Sequence, residues 1–456
     1  MNKLENQKLR FIDLFAGIGG FHIALDKLNM ECVFASEKNE VLAKLYEDNF
    51  GITPNRDITK IAVEDIPAHD ILCAGFPCQP FSKAGSQKGL KDERNGSLFD
   101  KIVEILQHHQ PKYFILENVR NLLNHNKGRT WEYIKERLET ELNYTIDKHI
   151  FSPHNFGIPQ HRERFFIIGA KEGLSHFNWP KTMENTTSVF SFLDDKPINA
   201  IQLEPEKVHV LNLWQEFLDR LPQTAKVPSW PIWSMEFGAT YPFEENTPFS
   251  SSTINLGKSK GNFGIPLKGM SREEKFKNLP SYARIGQNEF PVWKKHYIRS
   301  NRAFYEKYKN YIDPVVIKIK ELDVSSWQKF EWNIQGGERK VRNYIIQFRG
   351  SGVRLKRTDF FPSLVTVSTQ IPILGWEDRY ITPREGARIQ CMNGIDLPKN
   401  IGTCFAALGN AVNVDIVKLI AKQLIVELPK NENDKELNFE LNVNHNQTYN
   451  LSLNEQ

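Results

Sequence analysis

Apolar positions in the first 175 residues fall into short runs separated by helical periodicities. LRFIDLF (9–15) reads as a buried strand that runs into the turn Ala16-Gly17-Ile18-Gly19-Gly20. Phe21, Ala24, Leu25 and Leu28 then recur at i, i+3, i+4 and i+7, which predicts a helix. CVFAS (32–36), DILCA (70–74), KYFIL (112–116) and RFFIIG (164–169) are further strand-like runs. Helical patterns over 40–48, 97–107 and 131–141 lie between them. Strand–helix alternation predicts a parallel sheet with helices on both faces. The pattern stops near residue 175, and 176–357 reads as irregular, with clusters such as PFSSSTINLGKSKGNFGIP. A helix returns over 413–427, with Val417, Ile420, Ala421 and Leu424 on one face. The Asn-rich segment 430–456 alternates Leu437, Phe439, Leu441 and Val443, leaving disorder and a late hairpin both open.

Composition narrows the class. With 456 residues, 40% hydrophobic and 25% charged, the chain has ordinary globular character and enough length for two or three cores. No run reads as the roughly 18 to 20 apolar residues that cross a bilayer. The polar start MNKLENQKLRF carries no secretory pattern, so a cytoplasmic protein without a membrane span is expected. Five cysteines (Cys32, Cys73, Cys78, Cys391, Cys404) contain no C-x-x-C, which predicts free thiols and no metal site. The net charge of +4 hides an asymmetry: −6 over 1–256, +14 over 257–357 and −4 over 358–456. The basic block also carries Trp293, Tyr297, Tyr305, Tyr308, Trp327 and Trp332. Cations interleaved with aromatics suit a polyanion with stackable bases; a solvated basic helical face is the alternative.

The candidate chemistry gathers at strand ends. A strand, a tight glycine turn and a helix form a nucleotide crevice, and Glu37 lies where a carboxylate meets ribose hydroxyls. The turn is G-x-G-G, without the third spaced glycine of a dinucleotide fingerprint and without Gly-Lys-Ser/Thr. S-adenosylmethionine, with ribose hydroxyls and no phosphate, fits it better than NAD does. After DILCA comes GFPCQPFS (75–82), where Pro77 and Pro80 stiffen a loop around Cys78. Glu117-Asn118-Val119 ends the next apolar run, and Arg162 and Arg164 enter another. Glu117 and Arg164 could form a structural ion pair, yet all these groups converge on the edge where open α/β sheets bind ligands.

Taken together, DLFAGIGG (13–20), GFPCQPFS (75–82), ENV (117–119), QHRER (160–164), PREGARIQ (383–390) and GNAV (409–412) resemble the cytosine-5 DNA methyltransferase family of bacterial restriction–modification type. The resemblance covers 9–175 and about 360–427. It implies a doubly wound S-adenosylmethionine-dependent methyltransferase sheet with an inserted, smaller target-recognition domain. The implied division is 1–175 and 358–428 for the catalytic domain, 176–357 for the insertion and 429–456 for a tail. It also implies that Cys78 adds to C6 of a flipped-out cytosine, Glu117 bonds N3 and the exocyclic amine, Arg164 holds O2, and Arg162 supports the loop or substrate. S-adenosylmethionine would meet Phe15, Gly17, Gly19, Glu37, Asp57, Ile58, Pro77, Leu98 and Asn410. Lys38 departs from the large apolar residue many relatives carry against the adenine, and its aliphatic stem is expected to substitute. The implied partner is double-stranded DNA bound by a monomer, with a cognate restriction endonuclease as a functional partner, and the basic block supplying phosphate contacts and sequence choice. Two other readings stand beside this one. A 182-residue insertion argues against a tRNA methyltransferase, and intact Cys78, Glu117 and Arg164 argue against a non-catalytic DNA-binding regulator.

Overall fold

The computed structural model describes residues 8–77, 93–183, 187–364 and 367–425. Cys78 and the tail 429–456 therefore lie outside the described residues. Two compact units divide the chain: Met1–Leu193 with Ala387–Lys399 and Asn410–Gln456, and Asp194–Gly386 with Asn400–Gly409.

The first unit is built on a six-stranded sheet. Its strands are β1 (Arg10–Leu14), β2 (Glu31–Ser36), β3 (Ile71–Gly75), β4 (Tyr113–Val119), β5 (Thr145–Phe151) and β6 (Arg164–Ala170), in the order β2-β1-β3-β4-β6-β5. The first four are parallel, as the alternation predicts. The last two correct the expectation of an all-parallel sheet: β6 runs antiparallel to both β4 and β5. Sequence reading missed β5 because it is an edge strand whose residues are mostly exposed or half-exposed, so its apolar signal is weak. The chain leaves β1 toward β2 on one side and returns to β3 on the other. The carboxyl ends of β1 and β3 thus flank a topological switch point, where such sheets form a crevice.

Helices α1 (Gly20–Asp26), α2 (Glu40–Phe50), α3 (Glu93–His109) and α4 (Arg129–Glu136) connect the strands. The side chain of Asn39 caps α2 by accepting from the N–H groups of Val41 and Leu42. Burial of Ile102, Leu106, Phe114, Leu116, Phe165 and Ile167 fills one core, each such side chain contributing about 1.5–3 kcal/mol. The helix Val414–Leu424 buries Val417, Ile420, Ala421 and Leu424, the face its periodicity predicts, and packs against α1.

The second unit is not irregular. It holds the helices α5 (Pro205–Arg220) and α6 (Val292–Lys320), the latter continuing through Pro314. Lysines and arginines crowd α6 and mask its buried stripe of Ile298, Phe304, Ile312, Val315 and Ile319. A second sheet comprises β7 (Ile232–Trp233), β8 (Lys329–Trp332), β9 (Ile345–Arg349), β10 (Gly352–Lys356), β11 (Ile373–Leu374) and β12 (Arg379–Tyr380). Its order is β12-β11-β9-β10-β8-β7, and Trp214 of α5 stacks on Phe330 of β8 at 4.8 Å. Hydrogen bonding carries this unit to residue 386 rather than 357, since β11 pairs with β9. At its start the boundary falls at 193 rather than 175, and Trp179, which donates from Nε1 to Asp147 Oδ2 at 2.9 Å, stays with β5.

Two further expectations change. Residues 401–424 are apolar enough to pass for a membrane span by length and composition, although no such run was expected. They form two helices, Ile401–Asn410 and Val414–Leu424, with the side chain of Asn413 capping the second. Aromatics of the basic block serve largely as core: Trp332 is buried, Tyr305 stacks on Phe237 at 5.0 Å, and Trp327 packs edge-on to Phe348. Trp293 and Tyr311 are exceptions, at 55% and 52% exposed. Lys275 and Lys294 are buried as well, so not every cation of the block can meet a phosphate.

Candidate active site

The turn after β1 is set by backbone conformation. Phe15, Gly17 and Gly19 all adopt positive φ, at 58°, 58° and 83°. A side chain at Gly19 would meet the Phe50 ring at 2.3 Å, so only glycine fits there. At Gly17 the added Cβ would find nothing within 4 Å, which marks an open cradle rather than a packed turn. Glu37, just past β2, closes this cradle. Its Oε2 accepts from the Gly17 N–H at 2.8 Å and its Oε1 from the Asn39 N–H at 2.7 Å.

Asp57 caps a short 3-10 turn, Ile58–Lys60, by accepting from the Thr59 N–H and hydroxyl. The Thr59 hydroxyl and the Lys38 ammonium, 3.3 Å away, hold its carboxyl below the ordinary range. Lys38 is thus anchored at its tip while its side chain stays largely exposed. Ile58 is buried in the core, which leaves its backbone rather than its side chain for a ligand. Pro77 and Leu98 are half-buried, Leu98 against the main core. Asn410 is exposed, and two residues on Val412 packs at Gly20, at the start of α1.

The other groups meet along β3, β4 and β6. Parallel register puts Gly75 beside Glu117, and a Cβ on Gly75 would sit 3.7 Å from Glu117 Oε2. Asn118 Nδ2 donates to the Phe76 carbonyl at 3.3 Å, fixing the start of the proline–cysteine loop against β4. Val119 faces Arg164 in the antiparallel β4–β6 pair, which makes Glu117 and Arg164 diagonal neighbours on one face. Arg164 Nε lies 2.8 Å from Glu117 Oε1. Burial pushes the Glu117 carboxyl up, and Arg164 and then Arg162 offset part of that rise. A carboxyl in this state can hold a proton and donate it, while the adjacent guanidinium keeps a positive charge at hand.

Arg162 is buried. Its N–H donates to Ser152 Oγ at 2.8 Å and its Nη2 to the Ala411 carbonyl at 2.9 Å. Arg120 and Glu163 form a surface pair at 2.6 Å beside it. The structure thus brings Glu117, Arg162, Arg164 and the base of the Cys78 loop together, and Phe15, Gly17, Gly19 and Glu37 together at the β1 turn.

Sequence reasoning gave no role to three buried polar residues nearby. Gln160 is fully buried, and neither end of its amide has a hydrogen-bond partner among the described residues. Ser152 orients the backbone of Arg162. Asp13 is fully buried within β1. Its carboxyl is pushed up to about 8 by burial; the His22 backbone and Tyr46 hydroxyl offset part of the rise and Glu37 adds to it. An ionisable residue in the middle of the apolar run FIDLF was the signal available for Asp13.

Comparison with known proteins identifies the family. Residues 9–426 match the family described as C-5 cytosine-specific DNA methylase. Type II methyltransferase M.DsaV of Dactylococcopsis salina is 45% identical over 194 residues, 42% of this chain and 55% of that protein. M.SsoII of Shigella sonnei is 46% identical over 204 residues, 44% of this chain and 53% of that one. M.HhaI of Haemophilus parahaemolyticus is 40% identical over 222 residues, 48% and 67% respectively. The chain thus spans between half and two thirds of the length of these relatives. A solved methyltransferase structure from Entamoeba histolytica overlays 93% of this chain and all of its own, with a TM-score of 0.49 at 16% identity, a likeness that speaks to neither substrate nor mechanism. With a family match that runs almost the whole described length, from the first strand to the helix Val414–Leu424, the chain belongs to the C-5 cytosine-specific DNA methylases.

Proposed function

We infer that this protein transfers a methyl group from S-adenosylmethionine to carbon 5 of a flipped-out cytosine within a specific double-stranded DNA sequence. It acts as the modification enzyme of a restriction–modification system or as a solitary relative. The observation that carries this reading is the buried Glu117–Arg164 pair set beside the base of the Cys78 loop.

The residues at the β1 turn suit the cofactor. Glu37 offers a carboxylate for ribose hydroxyls, and the open space at Gly17 admits a ligand against the backbone. Phe15, Gly19, Asp57, Ile58, Pro77, Leu98 and Asn410 would complete the contacts. When bound, S-adenosylmethionine supplies an electrophilic sulfonium methyl.

Cytosine C5 is too poor a nucleophile to take that methyl unaided. Cys78, as thiolate, forms a bond to C6, and the C5–C6 electron pair moves to C5. Glu117, whose carboxyl burial pushes up, would donate from its protonated form to N3 and make C6 more electrophilic. Arg164 holds O2, where negative charge gathers, and Arg162 keeps the segment in place. After methylation the C5 proton leaves, the C6–S electron pair returns to sulfur and Cys78 is restored. None of these contacts can be made inside a stacked duplex, so the base is extruded.

The test is bisulfite sequencing of plasmid DNA from a methylation-free host expressing the chain. One short sequence context with unconverted cytosine is the expected result. Complete conversion, or label from the methyl donor entering tRNA and not DNA, overturns the reading.

A further inference from the structure

The second sheet has one apolar face and one cationic face. Phe330, Trp332, Ile346, Phe348, Val353 and Leu355 are all buried on the first. On the other, Gln347, Arg354 and Glu331 stand side by side across β9, β10 and β8. Arg349 and Lys356 flank this row on the same face, by the two-residue alternation of their strands.

Four observations set this face apart. Arg349, Arg354 and Lys356 are only partly exposed and share one carboxylate, Glu331. Arg354 Nε bonds Glu331 Oε2 at 2.5 Å, while its two terminal nitrogens have no partner among the described residues. Neither Arg349 nor Lys356 forms a hydrogen bond or ion pair among the described residues; Lys356 reaches only the Phe360 ring, 5.4 Å from its centroid. Gln347 is 3% exposed and donates from Nε2 to the Gln370 carbonyl at 2.8 Å, but its Oε1 is unpaired. Three half-desolvated cations that share a single carboxylate, and a buried acceptor without a donor, are costly in a finished structure. Burial also pulls the Arg349 guanidinium and the Lys356 ammonium below their ordinary range. Among the described residues Glu331 is the one carboxylate facing the three cations, so the row carries surplus positive charge suited to an anionic ligand.

We propose that this face is the sequence-reading element for duplex DNA, with Arg354 as the reader of a guanine and Arg349 and Lys356 as its phosphate anchors. The inference rests on the DNA-methylating reading above. Glu331 fixes the Arg354 guanidinium from behind at Nε and leaves the terminal pair of N–H groups pointing as a fork. Guanine presents two acceptors, O6 and N7, at the matching spacing in the major groove. A lysine ammonium has no such fork, and a guanidinium without a buttress would have to be ordered on binding. Arg349 and Lys356, one on each side, are placed to take the backbone oxygens that set register without reading sequence.

The test uses the full chain and three variants: Arg354→Lys, and Arg349→Gln and Lys356→Gln singly. Arg354→Lys keeps the charge on Glu331 and so guards against misfolding, which thermal melting checks. It should relax the methylated site at one guanine, with discrimination there falling about 10- to 100-fold, while S-adenosylmethionine affinity stays unchanged. Arg349→Gln and Lys356→Gln should each reduce the slope of log affinity against log salt by about 0.9 and leave the methylated site the same. If wild-type protein methylates DNA but Arg354→Lys keeps the original site and both glutamine variants keep the wild-type slope, the inference is overturned. If wild-type protein methylates no DNA, the activity reading fails by itself. Salt slopes for duplex binding then decide this face alone: reduced slopes support it, and unchanged slopes overturn it.

Discussion

Arg162 and Ala411, 249 residues apart in the chain, are joined by a hydrogen bond of 2.9 Å from the guanidinium Nη2 to the backbone carbonyl. This bond ties the QHRER segment to the GNAV segment inside the first unit. Because Arg162 is buried, removing it leaves the carbonyl unsatisfied and a void behind. Arg162→Ala is therefore expected to lower unfolding free energy by about 2–3 kcal/mol, read as a lower urea midpoint. Unchanged stability with lost turnover would make Arg162 a substrate ligand instead of a support.

Glu117 should shape the pH profile. Its carboxyl is raised by burial, and in the proposed mechanism the protonated form would be the donor to N3. As pH rises through that raised value the donor is lost, so kcat/KM should fall on the alkaline side. Glu117→Gln should remove this limb and lower the rate about 100-fold or more. A mutant with the wild-type alkaline limb would assign the titration to another group.

Cys78→Ser should abolish methyl transfer and leave S-adenosylmethionine binding largely intact. A serine hydroxyl is a far weaker nucleophile at neutral pH, and the proposed cofactor groups Gly17 and Glu37 stand at the β1 turn, not on the Cys78 loop. Single-turnover assays and calorimetric titration together check this. Substantial turnover by the serine variant would rule out the covalent step.

The reverse pattern is expected of Glu37→Ala. The variant removes the carboxylate that receives the Gly17 and Asn39 N–H groups and that is proposed to meet the ribose. Affinity for S-adenosylmethionine should drop by about tenfold or more, corresponding to a charged hydrogen bond of about 1.5–3 kcal/mol. Duplex affinity should change little. Equal cofactor affinity in mutant and wild type, measured by calorimetry, would remove Glu37 from the cofactor site.

Asp13 makes a prediction about stability rather than activity. Its carboxyl titrates near 8 when folded and near 3.8 when exposed, so the folded state holds a proton that the unfolded state has released. Stability from this group is complete below pH about 4 and declines as pH rises toward 8, by about 1.4 kcal/mol per unit. Asp13→Asn has no proton to lose, so its stability relative to wild type should rise from pH 5 to pH 8. Denaturant midpoints for both proteins across that range are the measurement, and a pH-independent difference would count against the assignment.

Local chain chemistry determined much of this protein. The runs at β1, β2, β3, β4 and β6, the periodicity of α1, α2, α3 and the helix Val414–Leu424, and the motif residues at strand ends are all short-range patterns. Burial on one face imposes period 2 or 3.6 on the sequence itself, so these elements are legible without a structure. Other features depended on neighbours distant in sequence. The antiparallel return of β6, the edge strand β5 and the helix α6 under its charged surface owe their form to packing partners that no local window contains. Tertiary structure also separated the two uses of the basic block: Lys275 and Lys294 go inside, while Arg349, Arg354 and Lys356 line one sheet face around a single carboxylate. Glu117 shows the division within one residue. Its sequence position marks it as a carboxylate ending an apolar strand, but only the register of β4 with β6 brings Arg164 to 2.8 Å, and only burial there raises its carboxyl.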